Sequence, residues 1–201
     1  MIPGSERAAL VLMGGGPGSG KTRIARELVR RLPTSLWLDK DLLSGRWVDQ
    51  LLLVGNAGVV DRDSPYYWQT VRPLEYATLE AVAFAHLTLG KSVVIDAPLA
   101  PELNDAAWVT RMREACRDHS AELLSVWVRI APATAYRRLH ARGEPRDRWK
   151  LAHWEEFLAT RRPYEPPAHV SLLVENEDAD SPDRPVERIL EAITNWTVRG
   201  H

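Results

Sequence analysis

Several functions are excluded by what the chain lacks. It has one cysteine, Cys116, in 201 residues, which leaves no intrachain disulfide and no multi-cysteine metal cluster. Cys116 falls in a run, Arg111 to His119, that reads as a helix, where a small buried apolar residue is expected. No window approaches the about 18 consecutive apolar residues that cross a bilayer. The first residues, MIPGSERAALVLMGG, put no basic segment before an apolar core and a small-residue cleavage site. A soluble, cytoplasmic protein with no membrane association is therefore expected. The six histidines show no H-x-x-x-H or cysteine-paired spacing, so no zinc site is expected. No G-x-S-x-G nucleophile elbow occurs. Charge of one sign is also missing: 26 Lys and Arg face 27 Asp and Glu, which argues against extended nucleic-acid binding.

Hydrophobic residues make up 45% and charged residues 26% of the chain, a globular composition. Apolar runs at Ala8–Met13, Ser35–Leu38, Ser92–Ile95, Leu123–Ile130 and Val170–Val174 read as buried strands. Helical patterns lie between and after them, at Lys21–Leu32, Tyr76–Leu89, Asn104–His119, Ala133–Ala141, Leu151–Arg161 and Pro185–Val198. That alternation predicts βαβ units and an α/β three-layer sandwich with a mostly parallel five-stranded sheet. Two stretches exceed a minimal plan: Leu42–Pro73, rich in Trp, Tyr, Gly and Asp, and the basic Arg137–Lys150. With no internal repeat or low-complexity linker, both read as insertions into one domain spanning residues 1–201.

The first apolar run ends in Gly15-Gly16-Pro17-Gly18-Ser19-Gly20-Lys21-Thr22, the full G-x-x-x-x-G-K-[ST] pattern. Its glycines let several backbone N–H groups converge on one anion at a helix N-terminus. Lys21 would reach the terminal phosphates, and the Thr22 hydroxyl would ligate Mg²⁺. In a parallel sheet, ligands bind beyond the carboxyl ends of the strands. Asp39 and Asp41 after the second strand and Asp96 after the third are thus expected to face this loop. Phosphoryl transfer to an alcohol needs a carboxylate that orients the hydroxyl and accepts its proton, and another that holds water on the metal. Asp96, after Val93-Val94-Ile95, has the look of a metal-holding aspartate. Asp41 suits either substrate contact or a helix cap.

On these residues the chain resembles the P-loop NTPases, and among them small-molecule kinases of the chloramphenicol phosphotransferase-like and zeta-toxin-like kind. The matching features are the phosphate loop, an aspartate after the second strand, another after the third, and a basic RGxxR-like segment after the fourth. The resemblance implies ATP as co-substrate with Mg²⁺, and a small-molecule alcohol as acceptor: an antibiotic, a sugar or a nucleoside-like metabolite. It implies Asp39 as the base, with an exchange of roles with Asp96 left open. It also implies a lid after the fourth strand.

Arg137–Lys150 carries six basic residues against two acidic ones, and its guanidinium groups would neutralise charge on the transferring phosphoryl group. Arg138 and Arg142 share a helix face. They, with Arg146 in the loop beyond Gly143, are the expected phosphate contacts. Acceptor contacts are expected from the Leu42–Pro73 insertion: Trp47, Asp63, Tyr67 and Arg72, with Asp41. Aromatic walls with a few polar groups suit a small organic acceptor, although the same aromatics would also pack an insertion that lacks its own core. The acidic excess around Asp61 and Asp63 leans towards a neutral or cationic acceptor. Two further readings stay open: a kinase of nucleosides, nucleotides or polynucleotide 5′ ends, and a regulatory ATPase without an acceptor.

Overall fold

The computed structural model of the chain describes residues 7–55, 58, 61–144, 147–177 and 181–199. Five strands form one all-parallel sheet: β1 (Ala8–Gly14), β2 (Ser35–Asp39), β3 (Ser92–Asp96), β4 (Ala121–Arg129) and β5 (Leu172–Glu175), in the order β2-β3-β1-β4-β5. β1 is central and buried on both faces, which its unbroken apolar sequence requires. Leu10 and Leu12 join Val93, Ile95 and Trp127 on one face. Val11 and Met13 join Val94, Val126 and Val128 on the other. The period-two alternation thus supplies two cores, each covered by helices.

On the second face lie α1 (Lys21–Arg31) and the last helix, α9 (Asp183–Arg199). α1 buries Ile24 and Leu28, and α9 buries Val186, Ile189 and Ile193, the spacing of one helical stripe. The first face is covered by α3 (Arg72–Leu87), the short α4 (Ala100–Asn104) and α5 (Ala106–Asp118). The helix expected from Asn104 to His119 is α5, and the short α4 before it was not expected. Asp105 takes an extended conformation between them, and its carboxylate accepts from the N–H groups of Ala107 and Trp108. α6 (Pro132–Arg142) follows β4, and then come α7 (Arg148–Ala152) and α8 (Trp154–Arg161). His153, at φ −124° and ψ 45°, divides a stretch expected to be continuous.

The expected insertion is largely helical. α2 (Lys40–Gly55) starts directly at the end of β2. After the turn at residues 61–64 the chain is helical again, with five residues of π-helix (Tyr67–Val71) leading into α3. α3 begins four residues before the expected Tyr76, because Pro73 lies in its first turn, where a missing N–H breaks no bond. Val48, Leu52, Tyr67 and Val71 form a small apolar cluster, with Trp47, Leu51 and Tyr66 packed against it. Gly55 permits this packing, since a Cβ there would fall 2.1 Å from the Tyr66 ring.

Candidate active site

All five strands point their carboxyl ends the same way, so the loops after β1, β2 and β3 share one edge of the sheet. The loop after β1 is the glycine-rich one. Gly18 and Gly20 have φ of +76° and +84°, the left-handed region that side chains resist. Neighbours distant in sequence hold the loop. The Tyr164 hydroxyl donates to the Pro17 carbonyl at 3.0 Å, and its ring and the Pro163 carbonyl cover Gly16 so closely that a Cβ would clash. Asn176, just after β5, donates from Nδ2 to the Ser19 carbonyl at 2.7 Å. These two residues were not legible in the sequence. The Ser19 hydroxyl is fully buried and has no hydrogen-bond partner, an uncommon state for a buried polar atom.

Lys21 opens α1 beneath this loop. Burial lowers its pKa below the usual lysine value, while Asp96, Asp41 and Asp39 raise it and Arg142 lowers it further. Asp39 and Asp96 are direct partners across the β2–β3 pair. Asp96 is only 3% exposed. Burial pushes its carboxyl above the usual range, and Lys21 and the Thr22 hydroxyl pull the other way. Its Oδ2 is buried without a hydrogen-bond partner. An orphaned carboxylate oxygen beside a threonine hydroxyl is a donor set that fits Mg²⁺, which takes one or two protein oxygens and completes its shell with water and phosphate. Among the described residues no cluster of three His, Cys, Asp or Glu exists that would cage a metal without such help.

Asp39 has a second task. Its Oδ1 accepts from the N–H groups of Asp41 and Leu42, at 2.8 and 3.0 Å, and so caps α2. The cap that the sequence offered to Asp41 belongs to Asp39 instead. Asp41 is exposed and pairs with Lys40 at 3.0 Å and Arg62 at 3.3 Å. Arg62 also reaches Asp49 at 3.0 Å.

The structure commits most of the expected acceptor contacts to other partners. Trp47 packs against the insertion's apolar cluster. Tyr67 is buried there and donates its hydroxyl to Glu75 at 2.8 Å, so it is part of the insertion's packing and lines no open wall. Arg72 forms a forked pair with Glu102 and lies over the rings of Trp68 and Tyr76, at 4.8 and 4.1 Å. Asp63 is exposed and pairs with Arg161 at 2.7 Å. Sequence reasoning also missed the buried knot behind Asp39, where Glu75 accepts from Lys40 at 2.8 Å and from Ser44 at 2.5 Å as well as from Tyr67.

The basic segment starts inside α6, the helix expected after β4. Arg138 is tied down: it donates to the Asn176 and Glu177 carbonyls at 2.8 and 3.0 Å and reaches the Gly18 carbonyl at 3.4 Å. Arg142 pairs with the buried Asp147, which Lys150 also approaches at 3.4 Å. Arg146 lies outside the described residues. Arg138 and Arg142 share with Gly18, Gly20, Lys21 and Thr22 a pocket of about 500 Å³.

A parallel sheet in this order, a glycine-rich phosphate cradle after its central strand and two opposed aspartates at its edge define the P-loop kinase-like class. The chain belongs to the family described as an AAA domain, AAA_33, whose model matches residues 10–167. No curated protein matches the chain. Among solved structures it is similar to the Mycobacterium tuberculosis APS kinase in complex with AMPPNP and APS (20% identity, TM-score 0.59, 94% of this chain and 98% of that one). It is also similar to the shikimate kinase of Bacteroides thetaiotaomicron (18%, TM-score 0.58, 92% and 98%). A third is the tunicamycin resistance protein of Deinococcus radiodurans (19%, TM-score 0.57, 92% and 95%). At these identities the likeness establishes the shared fold. Among the described residues no helix is long and apolar enough to cross a membrane.

Proposed function

We propose that the chain is an ATP- and Mg²⁺-dependent phosphotransferase that moves the γ-phosphoryl group to a hydroxyl of a small molecule. The observation that carries this reading is that Asp39 and Asp96, direct partners at the carboxyl ends of β2 and β3, share one sheet edge with the glycine-rich loop that follows β1. Such a loop alone serves any nucleotide-binding protein. A pair of carboxylates at the same strand edge adds what an alcohol acceptor needs, a group to orient its O–H and a group to hold the metal's waters. The kinases among the structural relatives agree with it.

In this reading the loop's N–H groups, freed by Gly18 and Gly20, bind the phosphate tail, and the Ser19 hydroxyl gains the partner it lacks. Lys21 lies against the β- and γ-phosphates. Thr22 and Asp96 would hold Mg²⁺, which screens the charge between the phosphates. Asp39 accepts the hydrogen bond of the acceptor O–H and takes its proton as the oxygen attacks phosphorus. Its place as helix cap fixes the carboxylate's direction, so the hydroxyl is met by a rigid acceptor. Arg142 adds positive charge next to Lys21, and Arg138 stiffens the wall between the loop and the chain after β5. The insertion of α2 and the π-helical start of α3 shapes the acceptor side, with Asp41 and Arg62 at its rim.

Mass spectrometry of reactions containing Mg-ATP and mixtures of sugars, nucleosides, amino-sugar and chloramphenicol-like alcohols tests the reading. A product heavier by one phosphoryl group, absent with Lys21→Ala, is expected. ATP consumption that no alcohol stimulates but a protein partner alters would replace the kinase with a regulatory ATPase.

A further inference from the structure

The pocket beside the phosphate loop extends along α1, and the wall it gains there is cationic. Beyond Lys21, Arg138 and Arg142 it is lined by Arg23, Arg26 and Arg30, and among the described residues no acidic side chain lines it. Residues 23, 26 and 30 follow the i, i+3, i+7 spacing that places side chains on one helix face. At 1.5 Å per residue they form a file of about 10 Å along α1. The Arg26 guanidinium is braced over the Trp37 ring at 5.5 Å. Arg30 is mostly exposed and makes a 3.0 Å pair with Glu27, which also holds Arg31 at 2.8 Å. An exposed pair of this kind contributes little and gives way to a stronger anion.

The direction of the file decides what it can hold. Lys21 and the loop N–H groups sit at the N-terminus of α1, where the reacting end of the phosphate tail belongs. Arg26 and Arg30 lie about one and a half and two and a half turns further along, away from that end. A nucleotide placed with its γ-phosphate beside Lys21 therefore offers the file its nucleoside end, which in ATP carries no charge. Guanidinium groups are weakly hydrated forks matched to phosphate oxygens, so a phosphate ester on the ribose is the chemistry this wall fits.

We infer that the nucleotide pocket has a second anion subsite, formed by Arg26 and Arg30, for a phosphate ester on the ribose 2′ or 3′ oxygen of a bound nucleotide. The inference rests on the proposed nucleotide site and adds a preference that the phosphate loop does not confer. AMP, adenosine 2′,5′-bisphosphate and adenosine 3′,5′-bisphosphate share a nucleoside and a 5′-phosphate, so calorimetry at low salt isolates the additional ester. A charge-assisted hydrogen bond predicts that one isomer binds about tenfold or more tightly than AMP. The isomer that gains identifies the ester position. Arg26→Met with Arg30→Met keeps the apolar stems and should erase the gain while Mg-ATP affinity stays within about twofold. Both isomers matching AMP, or a gain that survives the double substitution, overturns the subsite and leaves the proposed function standing. Failure of Mg-ATP and AMP to bind at all overturns the proposed function itself, and the subsite with it.

Discussion

Glu75 offers the sharpest quantitative test of how the acceptor side is held. Its carboxylate is 0% exposed and Lys40 is 4% exposed, yet neither is stranded. Glu75 accepts from Lys40, Ser44 and Tyr67, and Lys40 also lies 3.0 Å from Asp41. Glu75→Gln preserves shape but leaves the ammonium buried with only a partly solvated partner. Breaking a buried pair from one side costs about 3–5 kcal/mol. Taking about 3 kcal/mol, and about 2–4 °C in Tm per kcal/mol for a chain of this size, the melting temperature should fall by about 6–12 °C. Replacing both partners, with Lys40→Met added, removes the uncompensated charge and should recover most of the loss. Urea unfolding followed by tryptophan fluorescence measures the three variants. A single-variant loss under about 1 kcal/mol, or a double variant no better than the sum of the singles, would refute the account of Glu75 as the charge partner that fixes α2. The knot matters beyond stability because Lys40 is the residue after Asp39, so the same bonds set where the proposed base stands.

The other predictions separate the tasks of individual site residues. Asp39→Asn should keep the α2 cap, since Asn caps as well as Asp, and retain Mg-ATP binding while acceptor phosphorylation is lost; undiminished turnover in a product assay rejects Asp39 as the base. Burial depresses the Lys21 pKa, so the unfolded chain binds more protons between the folded value and 10.5, and stability should rise with pH through that window. Lys21→Met should accordingly melt higher than the parent at neutral pH without ligand, yet show no upward shift with Mg-ATP in a thermal melt. Asp96 has the opposite linkage: its pKa is raised from 3.8 by burial, so stability falls as pH rises from 3.8 through the folded value, and Asp96→Asn should stabilise the ligand-free protein at pH 7. Asn176→Ala removes the bond that pins the Ser19 carbonyl, and calorimetry should show Mg-ATP bound about tenfold more weakly, the cost of one buried hydrogen bond near 1–2 kcal/mol.

How far the sequence could be read depended on the range of the interaction. The phosphate loop was legible because its chemistry is contiguous, eight residues between an apolar run and an amphipathic helix. Asp39 and Asp96 were legible from strand ends, although their mutual register appears only when β2 pairs with β3. Tyr164 and Asn176 meet the loop from 147 and 157 residues away, and nothing local marks them. The Glu75 knot is hidden for another reason. Lys40, Ser44, Tyr67 and Glu75 are ordinary polar residues of helical segments until α2 and α3 pack, and only then does burial bring them together on the Glu75 carboxylate. Arg72 and Asp63 read as substrate contacts because charge near a site looks the same in sequence whether it is paired or open. The structure spends both on Glu102 and Arg161.

The two halves of the molecule also carry opposite balances of satisfaction. Behind Asp39 every polar group of the Glu75 knot has its partner, and rigidity is what a base needs. Ahead of it, the Ser19 hydroxyl and Asp96 Oδ2 are buried without partners, and burial works against the charge of Lys21. Buried polar groups left unpaired cost stability, and the surrounding double-faced sheet, with β1 sealed on both sides, has the apolar burial to carry that cost. A ligand with converging phosphate oxygens and a hydrated cation would satisfy all three groups at once. Under the proposed function these unpaired groups are complementary to Mg-nucleotide, so the loop and Asp96 would carry the binding free energy and the insertion would choose the alcohol.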